Sequence, residues 1–133
     1  MKRILVIDDD RAHLETTRDL LEEEGYDVIT QAGPFGATER IMVTRPDLVL
    51  LDVNMPALSG EMLLQVVKGR EQTREARVVL HSSNDEEALR GAARRLGAAG
   101  WICKGDPTAL LRTVARLLDG PPGAFRGGAG GER

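Results

Sequence analysis

The chain has 133 residues, of which 41% are hydrophobic, 29% are charged and 3% are aromatic, and its formal net charge is −3. These values are typical of one globular domain, and the acidic balance with few aromatic residues argues against a nucleic-acid-binding surface. A single cysteine, Cys103, excludes internal disulfides and zinc sites built on paired cysteines. The apolar runs are far shorter than a membrane span, so we expect a cytoplasmic protein.

Five short aliphatic runs predict five strands. They occupy residues 4–7, 28–30, 48–51, 78–80 and 101–103. Each run is continuous rather than alternating, which is typical of parallel strands that are buried on both faces.

The segments between these runs have the spacing of amphipathic helices, most clearly at residues 107–118. Helices are also predicted at residues 11–24 and 60–70, whereas residues 33–45 are the weakest candidate because Gly33, Pro34 and Gly36 crowd their start. The predicted buried faces comprise Leu14, Thr17 and Leu21; Met62, Leu63, Val66 and Val67; and Leu110, Leu111, Val114, Leu117 and Leu118.

Residues typical of helix ends support these boundaries. Asn84 followed by Glu87 fits a capping box, and Asp106 before Pro107 fits an N-cap with proline at the first helical position. The alternation of strand and helix therefore predicts a doubly wound α/β domain over residues 1–119, with a parallel five-stranded sheet and helices on both faces. Residues 120–133 contain six Gly and two Pro and are predicted to form a flexible tail.

Polar residues follow the predicted strands at the edge where open parallel sheets carry their chemistry. The first strand ends in Asp8, Asp9 and Asp10 and the third in Asp52; the fourth ends in Ser82 and the fifth in Lys104. The architecture thus brings carboxylates, a hydroxyl and an ammonium group to one pocket.

Carboxylates gathered in one pocket need a counter-charge, because two of them about 5 Å apart repel by roughly 3 kcal/mol at an effective dielectric constant of 20. A hard divalent cation such as Mg²⁺ is suited to this task, since it prefers oxygen ligands. One carboxylate can also act as a nucleophile towards phosphorus. A hydroxyl and an ammonium group would then hold the other phosphoryl oxygens.

These residues resemble the receiver domain of bacterial two-component response regulators, in particular the single-domain chemotaxis type. The resemblance covers residues 2–119 and is carried by Asp8-Asp9, Asp52, Ser82 and Lys104 at the expected strand ends. The run from Asn54 to Pro56 after Asp52 strengthens it. It implies a flavodoxin-like fold with strand order 2-1-3-4-5.

The resemblance also implies a role for each residue of the site. Asp52 would accept a phosphoryl group from a phosphohistidine of a sensor histidine kinase or a phosphotransfer protein, and Lys104 and Ser82 would contact that group. Asp9 and Asp52 would bind Mg²⁺ directly, Asp8 would act mainly through water, and Asn54 would contribute its backbone carbonyl.

Further positions would govern switching and signal lifetime. Ser82 and Trp101 would rearrange together on phosphorylation, while Asn54 and Asn84 would tune self-dephosphorylation. The signal would pass to an unknown protein target through the surface of the fourth helix, fifth strand and fifth helix. Beyond phosphotransfer to itself and self-dephosphorylation, the resemblance implies no enzymatic activity. Composition and the short apolar runs predict no contact with nucleic acid or membrane, and a monomer or weak homodimer is expected.

Three alternatives remain open at this point. The Asp8-Asp9-Asp10 run also fits a haloacid-dehalogenase-type phosphatase, with Asp8 as nucleophile and Asp10 as acid. A flavodoxin-like FMN protein shares the fold, although three aspartates would repel a phosphate. A pseudo-receiver would bind partners without phosphorylation. One position departs from the receiver pattern, since Gly105 follows Lys104 where the family often has a cis proline.

Two histidines lie near the predicted site. His13 is expected on the first helix, facing solvent. His81 precedes Ser82 and is expected to be packed in the interior, with tuning of the pocket as the alternative.

Overall fold

The computed structural model describes residues 1–119, in which five strands alternate with five helices. The strands are β1 (Arg3–Asp8), β2 (Asp27–Ala32), β3 (Leu48–Asp52), β4 (Val78–Ser82) and β5 (Gly100–Cys103). The helices are α1 (Arg11–Glu23), α2 (Ala37–Thr44), α3 (Gly60–Gly69), α4 (Glu86–Leu96) and α5 (Pro107–Asp119). All five predicted strands are present, and the predicted tail at residues 120–133 lies outside the described residues.

The strands form one parallel sheet in the order β2-β1-β3-β4-β5. The predicted doubly wound α/β fold and its 2-1-3-4-5 order are therefore confirmed. β1 pairs with β2 on one side and with β3 on the other, which places the strand ends Asp8 and Asp52 next to each other.

Separate hydrophobic clusters cover the two faces of the sheet. Leu5 and Ile7 of β1 pack with α2, α3 and α4, whereas Ile4 and Val6 pack with α1 and α5. Both faces of the central strands are thus buried, which explains why their sequences are continuously apolar. Burial of each such Leu, Ile or Val side chain contributes about 1.5–3 kcal/mol to folding.

Capping side chains determine where the helices that follow the carboxyl-edge loops begin. Asp10 caps α1 by accepting hydrogen bonds from the backbone N–H groups of Ala12 and His13, and Asp106 accepts from that of Ala109 in α5. The capping box predicted at Asn84 is wrong.

The cap of α4 is Asp85, which accepts from the Ala88 N–H. The side chain of Asn84 instead bonds Asn54 across the site, so the neighbouring carboxylate caps the helix.

Helix α3 is rotated relative to the face that its sequence predicted. Leu63, Leu64 and Val67 are buried, whereas Met62 is 55% exposed and Val66 is 42% exposed. The rotation follows from the close approach of Gly60 to the end of β3. A Cβ at Gly60 would overlap the carbonyl oxygen of Asp52, so only glycine fits there.

No helix within residues 1–119 combines the length and the apolar character that crossing a bilayer requires.

Candidate functional site

Four of the predicted site residues meet at the carboxyl edge of the sheet. Asp8 and Asp52 are 2% and 3% exposed, and Ser82 is fully buried. Asp9 is exposed, yet its carboxylate lies with those of Asp8 and Asp52 in a group whose ligand oxygens are all within 4.8 Å of one another. The strand order brings together acids that are more than 40 residues apart in the sequence.

Lys104 supplies a positive charge to this group from the end of β5. Its Nζ lies 2.9 Å from Oδ2 of Asp8 and 3.4 Å from Oδ1 of Asp52. The backbone N–H of Lys104 donates to the Ser82 carbonyl, so the ends of β4 and β5 are joined. The Lys104–Gly105 peptide bond is trans, and Gly105 has a φ of 90°, a left-handed conformation that glycine adopts readily.

Burial and mutual charge affect the two buried carboxyls differently. Burial, with the adjacent charge of Asp8 adding to it, raises the pKa of Asp52 above its ordinary value despite a hydrogen bond from Asn54. Burial has the same tendency at Asp8, but the Asp10 N–H and Lys104 outweigh it and lower the pKa of Asp8. The pKa of Lys104 is raised because Asp8 and Asp52 outweigh its own burial. Asp52 is therefore the less well compensated anion.

The two oxygens of Asp52 have different surroundings. Oδ1 accepts the backbone N–H of Asn54 at 3.1 Å and is the oxygen nearer Lys104. Oδ2 accepts no hydrogen bond within residues 1–119. Since every fully buried polar side-chain atom in this range has a hydrogen-bond partner, Oδ2 must be accessible at the surface of the site. Asp52 thus presents one oxygen to an incoming group.

A polar network connects the end of β3 with the loop after β4. The side-chain amide of Asn54 donates to the Ser82 hydroxyl at 3.0 Å and to the side-chain oxygen of Asn84 at 2.8 Å. The backbone N–H of Asn84 also donates to the Ser82 hydroxyl, at 3.1 Å. Ser82, Asn54 and Asn84, which the sequence singled out separately, therefore lie in direct contact.

His13 belongs to the site, and the expectation that it faces solvent is wrong. Its Nδ1 lies 2.8 Å from Oδ2 of Asp8, and its side chain is 23% exposed. The first turn of α1 folds back over the end of β1, which brings a residue five positions after Asp8 onto that carboxylate. Helical periodicity does not predict this contact. The local sequence indicates it only through a histidine in the first helical turn after a strand that ends in aspartate.

His81 is buried, as expected, and lies beside His13. The ring centroids are 5.1 Å apart and the rings are inclined at 44°. Burial, with the positive potentials of His13 and Lys104 adding to it, lowers the pKa of His81 to about 4. His81 is therefore neutral near pH 7 and contributes packing without adding charge.

Trp101, the predicted switch aromatic, is only partly buried on β5 and lies beneath a side chain of α4. The guanidinium carbon of Arg90 is 5.4 Å from the centre of the indole ring, and Arg90 also pairs with Glu86 at 3.1 Å. This cation–π contact joins α4 to β5 at the surface that the sequence predicted for signal output.

The chemistry of the acidic group fits a hard divalent cation. Asp8, Asp9 and Asp52 offer only oxygen ligands, and Lys104 is the one cation that forms ion pairs with two of them among residues 1–119. Oxygen ligands with incompletely compensated charge suit Mg²⁺ rather than a softer metal.

Comparison with known families identifies the chain. The family model described as "Response regulator receiver domain" matches residues 4–115, which is most of the chain and includes every residue of the site. The chain belongs to the response regulator receiver family. This confirms the resemblance that the sequence suggested.

Curated relatives of this receiver include two proteins of Pseudomonas aeruginosa. Protein PilH is 27% identical over 121 residues, covering 90% of this chain and 100% of PilH. Protein PilG is 29% identical over 102 residues, covering 77% of this chain and 76% of PilG. Response regulator MprA of Mycobacterium tuberculosis is 34% identical, and the matched part spans 86% of this chain but 48% of that protein.

Solved structures agree with the receiver fold. The chemotaxis response regulator CheY4 of Vibrio cholerae superposes with a TM-score of 0.80 and 27% identity, covering 89% of this chain and 99% of CheY4. A CheY-like receiver domain from Methanospirillum hungatei gives a TM-score of 0.79 at 28% identity, covering 90% of this chain and 94% of that one. Both similarities extend over nearly the whole described domain.

Proposed function

We propose that this receiver is a phosphorylation-dependent switch in which Asp52 accepts a phosphoryl group from a histidine kinase or phosphotransfer protein. The single observation that carries the proposal is the unequal state of the two buried carboxylates. Asp52 has a free oxygen and a raised pKa, whereas Asp8 is fully engaged by donors. In the transfer, Oδ2 of Asp52 forms a bond to phosphorus as the bond from phosphorus to the donor histidine breaks.

Mg²⁺ is the cofactor that we assign to this step. Asp9 and Asp52 would bind it with the backbone carbonyl of Asn54, while Asp8 would act mainly through water. When bound, the ion compensates the negative charge that gathers between donor and acceptor. Asp9 suits this role because it is exposed, so an ion with its waters can approach from solvent.

Lys104 and Ser82 would respond to the new group. The phosphoryl group carries about −1.5 to −2 charges, which replace the single charge of the Asp52 carboxylate as Asp52 becomes an acyl phosphate, a mixed anhydride. Lys104 already lies 3.4 Å from Asp52 and can bond a phosphoryl oxygen with a small movement. The Ser82 hydroxyl, held by Asn54 and Asn84 before the reaction, would be drawn to the same oxygens.

These movements can drive a change at the output surface. A nearly complete switch requires about 5.5 kcal/mol of differential stabilisation, which a few charge-assisted hydrogen bonds of roughly 1.5–3 kcal/mol each can supply. Displacement of the Ser82 loop would loosen α4 and with it the contact of Arg90 on Trp101. The exposed Arg94, Arg112 and Arg116 would lie on the surface that then changes its partner affinity.

The geometry does not favour a phosphatase that uses Asp8 as nucleophile. Oδ1 of Asp8 accepts the Asp10 N–H, and Oδ2 is shared by His13 and Lys104, so neither oxygen is free. The carboxylate of Asp10, which would have to act as the acid, caps α1 instead. We therefore propose that the chain catalyses only its own phosphorylation and dephosphorylation, with Asn54 and Asn84 setting the lifetime.

The intact mass of the protein after incubation with acetyl phosphate and Mg²⁺ tests this proposal. We expect the wild type to gain one phosphoryl group and Asp52→Asn to gain none. Asp8→Asn should keep some capacity for phosphorylation, because Asp8 is not the acceptor. No gain in the wild type would favour a phosphorylation-independent adaptor. Steady hydrolysis of acetyl phosphate that persists in Asp52→Asn but is lost in Asp8→Asn would favour the phosphatase.

A further inference from the structure

Within residues 1–119, Asp8 is held by three donors, two from the start of α1 and one from the loop after β5. Its Oδ1 accepts the backbone N–H of Asp10 at 3.0 Å, and its Oδ2 lies 2.8 Å from His13 Nδ1 and 2.9 Å from Lys104 Nζ. Lys104 and the loop are already part of the receiver site. His13 is a further side chain on this carboxylate, and the proposed phosphotransfer does not use it.

The ring of His13 is positioned from two sides. The capping carboxylate of Asp10 accepts the backbone N–H of His13 at 3.2 Å, which sets the first turn of α1 over the end of β1. The neutral ring of His81 packs beside it, with centroids 5.1 Å apart. A histidine held in this way donates along one direction and restricts the rotation of the carboxylate that accepts.

The donor atom is determined by the charge of Asp8. An ionised carboxylate only accepts hydrogen bonds, so Nδ1 of His13 must carry a hydrogen for the 2.8 Å contact to be attractive. In the neutral ring this assigns the Nδ1–H tautomer and leaves Nε2 as an acceptor.

We propose that His13 is a positioning residue for the Mg²⁺ site, which holds the Asp8 carboxylate in its binding orientation by donating the Nδ1–H to Oδ2. The inference rests on the proposed function, since it concerns the same ion. The contact of His13 becomes more important after phosphorylation. Once Lys104 turns to the phosphoryl group, His13 is the one side chain among residues 1–119 that still donates to Asp8. Groups that orient metal-binding carboxylates in this manner typically affect affinity by 10–100-fold.

Calorimetric titration of the full-length protein with MgCl₂ tests the inference through three variants. His13→Ala removes the donor and should weaken Mg²⁺ binding about tenfold. His13→Asn places an amide N–H near the position of Nδ1 and should restore the affinity to within about threefold. Thr16→Ala, an exposed change on the same helix, should bind as the wild type does.

A second measurement needs no metal. Long-range ¹H–¹⁵N correlation spectra of the metal-free protein distinguish the two neutral tautomers of a histidine, and the chain has only two histidines to assign. We expect the protonated type of nitrogen at Nδ1 of His13. The Nε2–H tautomer at this residue would mean that the contact with Asp8 is absent, and would overturn the inference.

The binding results also separate the possible failures. Unchanged affinity in a folded His13→Ala, or failure of His13→Asn to restore binding, would overturn the positioning role and leave the proposed function standing if Asp52 is still phosphorylated. A wild type that binds no Mg²⁺ and takes up no phosphoryl group would overturn both proposals.

Discussion

The two ends of the sheet carry the same combination of charges in different surroundings. At the amino edge, Arg3 donates from its backbone N–H to Asp47 at 2.8 Å and from Nε to Asp27 at 2.9 Å. At the carboxyl edge, Lys104 lies between Asp8 and Asp52. The side chains of Arg3 and Asp27 are each 44% exposed, whereas those of Asp8 and Asp52 are each 3% exposed.

Exposure decides what each group can do. Water screens the charges around Arg3, so that pairing is worth little and serves to connect β1, β2 and the start of β3. The carboxylates beside Lys104 have lost most of their hydration, and one ammonium does not fully replace it. A metal ion that binds at the carboxyl edge can therefore replace part of the lost hydration, which favours the binding of the ion and of a phosphoryl group.

The largest expected effect comes from the backbone around Asp52. Gly60→Ala should lower the free energy of unfolding by about 3 kcal/mol, because the new Cβ would overlap the carbonyl oxygen of Asp52 and force the loop apart. Urea denaturation measures the change.

Gly69→Ala, at the last residue of the same helix α3, is the matched control. No atom lies within 4 Å of its added Cβ, so we expect a gain of about 0.5 kcal/mol from the better helix former. Equal effects of the two substitutions would contradict the steric overlap expected between a Cβ at Gly60 and the Asp52 carbonyl.

A pH-dependent loss of stability should arise from His81. Because burial lowers its pKa from 6.5 to about 4, the unfolded chain binds the proton first as the pH falls. Its contribution is complete above pH 6.5 and is lost as the pH falls to about 4. Between pH 7 and pH 4.5 the wild type should lose about 2 kcal/mol more than His81→Val. Parallel pH profiles of the two proteins would show that folding does not lower the pKa of His81.

Neutralising one acid at each edge compares the two groups directly. In the metal-free protein at pH 7, Asp52→Asn should raise the free energy of unfolding by about 1 kcal/mol, since the pKa of Asp52 is raised by its burial and by Asp8. Asp27→Asn should lower it slightly. Added Mg²⁺ should stabilise the wild type and Asp27→Asn but not Asp52→Asn. If Asp27→Asn instead raised the free energy of unfolding, the exposed acid would be the less well compensated one, and the comparison between the two edges would be wrong.

The smallest effect is expected for the exposed pair itself. A double-mutant cycle on Arg3 and Asp27 should give a coupling of about 0.5 kcal/mol that decreases in high salt. Chemical denaturation of the two single variants and the double variant at low and high salt provides the values. A coupling above about 2 kcal/mol would contradict the claim that water screens the Arg3–Asp27 pair.

Local sequence patterns predicted the fold well where one residue's chemistry decides the structure. Continuous apolar runs indicate buried parallel strands, and Asp106 before Pro107 indicates the start of α5 because both residues favour that conformation locally. The meeting of Asp8, Asp52 and Lys104 followed from a general property of parallel sheets.

The remaining errors concern contacts that depend on how elements pack. The rotation of α3 depends on Gly60 against β3, and helical periodicity alone could not distinguish Leu64 from Val66 as the buried residue. The cap at Asp85 depends on Asn84 being occupied by Asn54. The contact of His13 with Asp8 arises only when α1 folds back over β1.

The most direct test of the central claim is to locate the phosphoryl group after transfer. Borohydride reduces an aspartyl phosphate to homoserine, and peptide mass spectrometry of the treated protein then gives the position. We predict homoserine in place of Asp52 after incubation with acetyl phosphate and Mg²⁺, and aspartate retained at position 8. Homoserine in place of Asp8, or at neither position, would contradict the account.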